Sequence, residues 1–94
     1  MEEKKKESEN TVLIAGKSLF LYCKAVETIL KKGYKECTIK ARGKYITNAI
    51  NVAEISKRDL GTKIDSIITG TEQFETEDKK QVNVSTIAVK ISKK

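Results

Sequence analysis

The sequence predicts one small α+β domain with the element order β-α-β-α-β-β and a long C-terminal β-hairpin. Three observations carry that expectation. Two stretches place apolar residues at helical spacing, and each runs into a glycine. The segments around them are rich in β-branched residues, and one of them alternates strictly. A chain of 94 residues, 38% of them apolar, is long enough for one core and too short for two.

Thr11-Val12-Leu13-Ile14-Ala15 is short and largely β-branched, which suits a buried strand. Ser18 then stands where a helix cap belongs. Leu19, Tyr22, Cys23, Val26, Ile29 and Leu30 follow at helical spacing until Gly33, a C-terminal stop. Glu27 and Lys31 are four residues apart, the spacing of an ion pair on the outer face. From Glu36 to Arg42 the chain alternates, with Cys37, Ile39 and Ala41 on one side and Thr38, Lys40 and Arg42 on the other. This is a strand with one inward face. Gly43 permits a turn into a second helix, expected from about Lys44 to Leu60 and closed by Gly61. Ile46, Ala49, Ile50, Ala53 and Leu60 form its expected inward stripe. Val52 and Ile55 fall on nearly the opposite side, so this helix reads either as touching a second subunit there or as carrying two isolated surface residues. A homodimer with Val52 and Ile55 in its interface is the expectation. The remainder is β-rich: a strand from Ile64 through Phe74, a polar tip over Glu75-Thr76-Glu77-Asp78-Lys79-Lys80, and a last strand from Val82 to Ile91. Its apolar parity changes at Ser85-Thr86, which suggests a bulge or strong twist there.

Charge narrows the function. The chain carries a net +6, but residues 1–10 hold four Glu against three Lys, so the excess lies downstream. That first segment has almost no apolar content and reads as a disordered charged tail, leaving 11–94 as the domain. Lys17, Lys24, Lys31, Lys32, Lys35, Lys40, Arg42 and Lys44 face only Glu27 and Glu36 in their stretch. A basic excess concentrated in this way points to a polyanion, nucleic acid before an acidic membrane surface; the bland alternative is a lysine-rich solvated surface. No apolar run approaches the roughly 20 residues of a membrane span, and no apolar segment follows the charged start, so a cytoplasmic protein is expected. The chain has no histidine and two cysteines, Cys23 and Cys37, both on apolar faces. They read as small buried hydrophobes, with no metal site and no cofactor expected.

Gly16-Lys17-Ser18 looks like the end of an ATP-binding loop. Such a loop needs a first glycine five residues upstream and enough chain to wrap the phosphates with backbone N–H groups. Thr11 stands there instead, and Val12 to Ala15 are strand material. A nucleotide-binding enzyme built on these residues is therefore a minor alternative, and no other catalytic constellation is visible. What remains is Lys17 at one strand-to-helix junction and Lys40, Arg42 and Lys44 around a second. If the two strands are parallel, both junctions lie along one edge, placed to meet successive phosphates.

The stretches NTVLIAGKSLFLYCKAVETIL, GYKECTIKARGKYITNAINVAEI and KKQVNVSTIAVKI resemble the Alba family of archaeal chromatin proteins, over nearly the whole chain from Asn10. Its most specific parts are Ile39-Lys40-Ala41-Arg42-Gly43-Lys44, with Ile46 after it, and Val84-Ser85-Thr86-Ile87. The resemblance implies a non-catalytic, chromosome-associated homodimer that binds double-stranded DNA, often RNA, with little sequence preference. Its body would sit on the backbone and its hairpins along the minor groove. Lys17 matches a loop lysine, Arg42 and Lys44 a basic pair, and Lys80 a basic hairpin position; Lys79 stands beside Lys80, and Asn83 replaces a second basic position. The family's acetylated loop lysine is Gly16 here and its loop proline is Ser18. Asp59 stands where an aromatic often joins dimers, which argues against cooperative coating. With Glu72, Glu75, Glu77 and Asp78 on the hairpin, weaker and more salt-sensitive binding than the family's norm is expected. A dedicated RNA-binding component of a ribonucleoprotein and a scaffolding dimer without a polyanion partner are the other readings.

Overall fold

The structure is a computed structural model that describes residues 10–93. Residues 1–9 of the expected tail lie outside the described residues. Asn10, its last residue, is tied to the sheet, because the Thr38 amide donates to its carbonyl at 2.9 Å.

The elements follow the expected order. Strand β1 spans Thr11–Leu13, helix α1 Leu19–Lys31, strand β2 Glu36–Arg42, helix α2 Ile46–Leu60, strand β3 Thr62–Glu75 and strand β4 Gln81–Lys93, with one 3-10 turn at Gly43–Tyr45 before α2. The sheet order is β1-β2-β4-β3. β1 runs parallel to β2, while β4 is antiparallel to both of its neighbours. The parallel pair forces the first crossover, and α1 supplies it. The start of α1 is fixed by Ser18, whose side chain accepts from the Leu21 amide, and Gly61 closes α2 in the left-handed conformation at φ 71°.

One face of the sheet is covered and the other is open. Cys37, Ile39 and Ala41 of β2 and Ile87, Val89 and Ile91 of β4 turn towards the helices and are buried against Val26, Ile29 and Leu30 of α1 and Ala49, Val52 and Ala53 of α2. Full burial of a side chain such as Ile39 or Ile91 contributes about 1.5–3 kcal/mol. The opposite face presents Lys40 and Arg42 of β2, Thr86 and Ala88 of β4, and Ile68, Gly70 and Glu72 of β3, by strict alternation across paired strands.

Two expectations need correction. Val52 is fully buried in the chain's own core, so it has no surface to offer a second subunit. The inward stripe of α2 is Ala49, Val52, Ala53 and Ser56, and the buried serine is what conceals it in the sequence. Ile50, expected inward, is 42% exposed. Nor is there a bulge at Ser85-Thr86: β3 and β4 pair without interruption from Glu75↔Gln81 to Ser66↔Lys90, and the register shift lies between Ile64 and Ser66. The parity changes because Thr86 is the last β4 residue opposite β2. Beyond it no helix layer demands an apolar face.

Candidate nucleic-acid interface

The loop between β1 and α1 is held by a side chain of the helix it precedes. Tyr22, buried on α1, turns its hydroxyl back so that it accepts from the Ala15 amide at 2.8 Å and from the Lys17 amide at 3.1 Å. The Lys17 amide is one of the donors that a nucleotide-phosphate cradle would use at this point. With these two amides committed to Tyr22, the loop presents Lys17's exposed side chain beside the start of α1.

The second loop is folded against the first. The Ile14 amide donates to the Lys40 carbonyl at 2.8 Å, which carries the parallel pairing up to the junction. Arg42 ends β2, and Gly43 takes φ +56°, a left-handed value that turns the chain into the 3-10 segment. Tyr45 then lies beside the first loop: a Cβ added at Gly16 would stand 3.5 Å from its hydroxyl oxygen. Lys44 places its Nζ 5.4 Å from the Tyr45 ring centroid. Lys17, Lys40, Arg42 and Lys44 thus surround one end of the sheet, all with exposed side chains. Among the described residues, Lys17, Lys40 and Lys44 pair with no carboxylate.

Arg42 differs. Its Nη1 lies 3.1 Å from Oε1 of Glu72, and its guanidinium carbon is 5.4 Å from the Phe74 ring centroid. Because β4 lies between β2 and β3, this side chain crosses a whole strand to reach the hairpin. Glu72 reads in the sequence as one of a solvated acidic run, and its partner is 30 residues away.

The hairpin continues beyond the body from Glu72↔Val84 to Glu75↔Gln81. Its turn is closed by the Lys79 amide donating to the Thr76 carbonyl and the Thr76 amide donating to the Lys80 carbonyl, both at 2.9 Å. Lys79 adopts φ 64°, where glycine is the usual occupant. Lys79 and Lys80 sit at this tip and Asn83 along the arm, opposite Gln73. The fold does not bring these three to the loops: the rise from Thr86 is about 10 Å of strand to Asn83 and about 17 Å to Gln81, beyond which the two tip lysines lie.

On the helix side, half-buried Ile55 lines a shallow cleft with Phe20, Cys23, Ser56, Asp59 and Leu60. Asp59 is paired with its neighbour Arg58 at 2.8 Å, and that bond holds its carboxyl below the usual range. Burial pushes the Cys37 thiol up to about 11, and raises Cys23 more modestly with help from the Asp59 charge. Neither is primed as a nucleophile. Among the described residues no three His, Cys, Asp or Glu side chains gather as a metal would need, and no helix is long and apolar enough to cross a membrane.

Fold and site together define a class: a small basic α+β domain with two interlocked cationic loops at one end of a mixed sheet and a projecting two-stranded arm. The chain belongs to the Alba family, whose model matches residues 10–88. It is 39% identical over 83 residues to "DNA/RNA-binding protein Alba" of Methanoculleus marisnigri, covering 86% of this chain and 90% of that protein. The protein of the same name from Methanocella arvoryzae is 35% identical over 83 residues, with 86% of each covered. Among solved structures, Alba from Thermoplasma volcanium superposes with a TM-score of 0.82 at 32% identity, covering 89% of this chain and all of that one. ALBA1 from Trypanosoma brucei shares the fold at a TM-score of 0.77 and 23% identity, covering 90% and 69%.

Proposed function

We propose that this protein binds nucleic acid without catalysis, as a homodimer that sits on the phosphate backbone of double-stranded DNA and also accepts RNA. The observation that carries the reading is the joining of the two cationic loops at one end of the sheet, with Lys17, Lys40 and Lys44 exposed and without carboxylate partners among the described residues. Binding of that kind is electrostatic and largely indifferent to sequence, and it is compatible with association with the chromosome. The names of the archaeal relatives support both polymers. Lys79, Lys80 and Asn83 on the arm approach the minor groove in this account, with Asn83 hydrogen-bonding to sugars or base edges.

The dimer rests on apolar surface that one copy leaves uncovered. Leu13 and Ile68, 70% and 64% exposed, share the open sheet face, and Ile55 adjoins Phe20 on the helix side. Sedimentation of Ile68→Asp and Ile55→Asp variants tells which face a second copy uses. Fluorescence anisotropy with a 30-base-pair DNA and a structured RNA, in competition at matched salt, tests the main reading. Saturable binding of either polymer supports it. A melting temperature raised by magnesium-ATP, with no binding of DNA or RNA, contradicts it.

A further inference from the structure

Among the described residues, Arg42 is the one cation of the loop cluster that has an anionic partner, and that partner lies on the arm. Resting on the nucleic-acid reading above, we propose that Glu72 is an internal competitor for the phosphate at Arg42, and so sets the affinity and salt dependence of this site. The Glu72 carboxylate sits 3.1 Å from Arg42 Nη1, while the Phe74 ring lies 5.4 Å from the guanidinium carbon. Both partners come from β3 and reach Arg42 across β4. Arg42 pairs with Thr86, and Thr86 in turn faces Gly70, where a Cβ would meet Thr86 Oγ1 at 3.2 Å. The missing side chain at Gly70 keeps the surface low beside the track that Arg42 follows. Glu72 and Phe74 stand two and four residues further along the same face.

A phosphate approaching Arg42 meets a guanidinium whose hydrogen-bonding edge already holds a carboxylate. Either the carboxylate leaves or the phosphate approaches a like charge. Arg42 and Glu72 side chains are 60% and 52% exposed, so the pair itself is weak and the exchange is easy. The result is a phosphate contact that forms with a penalty at low salt. Phe74 orients the guanidinium whichever anion it holds.

The test compares Glu72→Gln with Glu75→Gln, which removes the same charge from the same strand without an Arg42 partner, each also in an Arg42→Gln background. Anisotropy on a 30-base-pair DNA is measured across a series of KCl concentrations, with circular dichroism confirming that each variant folds. Removing Glu72 should tighten binding by about 2- to 5-fold at low salt and steepen the log–log salt slope by up to about 0.9, the value of one phosphate contact, so this carboxylate weakens binding as the sequence leads one to expect but makes it less, not more, salt-sensitive. Glu75→Gln should give a smaller gain, and the Glu72→Gln gain should vanish without Arg42. Equal gains from the two glutamates, or a Glu72 gain that survives loss of Arg42, would show a general charge effect and overturn the proposal. Weaker binding by Glu72→Gln would overturn it too, by making Glu72 a support. If the wild-type protein binds neither DNA nor RNA, the functional reading itself falls and this inference with it.

Discussion

Replacing Tyr22 with Phe removes one oxygen and leaves the ring in the core, so it isolates what that hydroxyl does for the first loop. The hydroxyl accepts two amide protons, from Ala15 at 2.8 Å and Lys17 at 3.1 Å. A neutral hydrogen bond contributes about 0.5–1.5 kcal/mol net, so the pair is worth about 1–3 kcal/mol. Water reaches this partly exposed loop and replaces some of that, which puts the expected loss at about 1–2 kcal/mol. Urea denaturation measures it as a lower midpoint with an unchanged slope. The functional consequence follows from ordering. With the anchor gone, a residue or two around Lys17 must be fixed on binding, at about 1 kcal/mol each, so affinity for DNA should fall about 5- to 30-fold. Hydrogen exchange gives the local readout: the Ala15 and Lys17 amides should lose protection while those of β2 keep theirs. Stability within about 0.3 kcal/mol of wild type, with protection unchanged, would mean that the Tyr22 hydroxyl does not hold the loop.

Val52→Asp buries a lone carboxylate in the core and should prevent folding, whereas Ile55→Asp at the half-buried cleft should fold; circular dichroism separates the two. Lys79→Gly relieves a left-handed backbone at φ 64° and should raise stability by about 0.5–1 kcal/mol in thermal or urea unfolding, without moving the arm. Cys37 has its folded-state value raised from 9.0 to about 11, so the unfolded chain loses its thiol proton first and stability falls as pH rises between those values. Denaturation of wild type against Cys37→Ala from pH 8 to 11 should show up to about 2–3 kcal/mol of extra decline in the wild type. An identical pH dependence would contradict the buried placement of that thiol.

Much of the fold is legible in the sequence because local and global signals agree. Gly33 and Gly61 stop the helices where the chain must turn back, and Cys37, Ile39 and Ala41 announce the inward face of β2 two residues apart. Where the reading fails, tertiary structure chose between local options. Ser56 is polar yet fully buried, and Ile50 is apolar yet exposed, so the wheel of α2 points the wrong way until the sheet is in place. The cations of the site are legible as a cluster, and the parallel pairing of β1 with β2 brings their loops together. What organises them is not legible. Tyr22 looks like any core aromatic of an amphipathic helix. Nothing in a run of hairpin glutamates marks Glu72 as the one that faces Arg42, because that contact needs the order β2-β4-β3 before it exists.

If the joined loops bind backbone phosphate, charge reversal of Arg42 and Lys44 together must abolish most of the binding. Binding isotherms on DNA across a salt series should give the wild type a log–log slope near −3 per protomer, about 0.9 for each of Lys17, Lys40 and Lys44 and less than that for Arg42, which Glu72 partly occupies. The Arg42→Glu/Lys44→Glu variant, still folded by circular dichroism, should lose at least about 100-fold in affinity at low salt, and its slope should shrink by about 1 to 2. Unchanged affinity and slope in that variant would contradict the account.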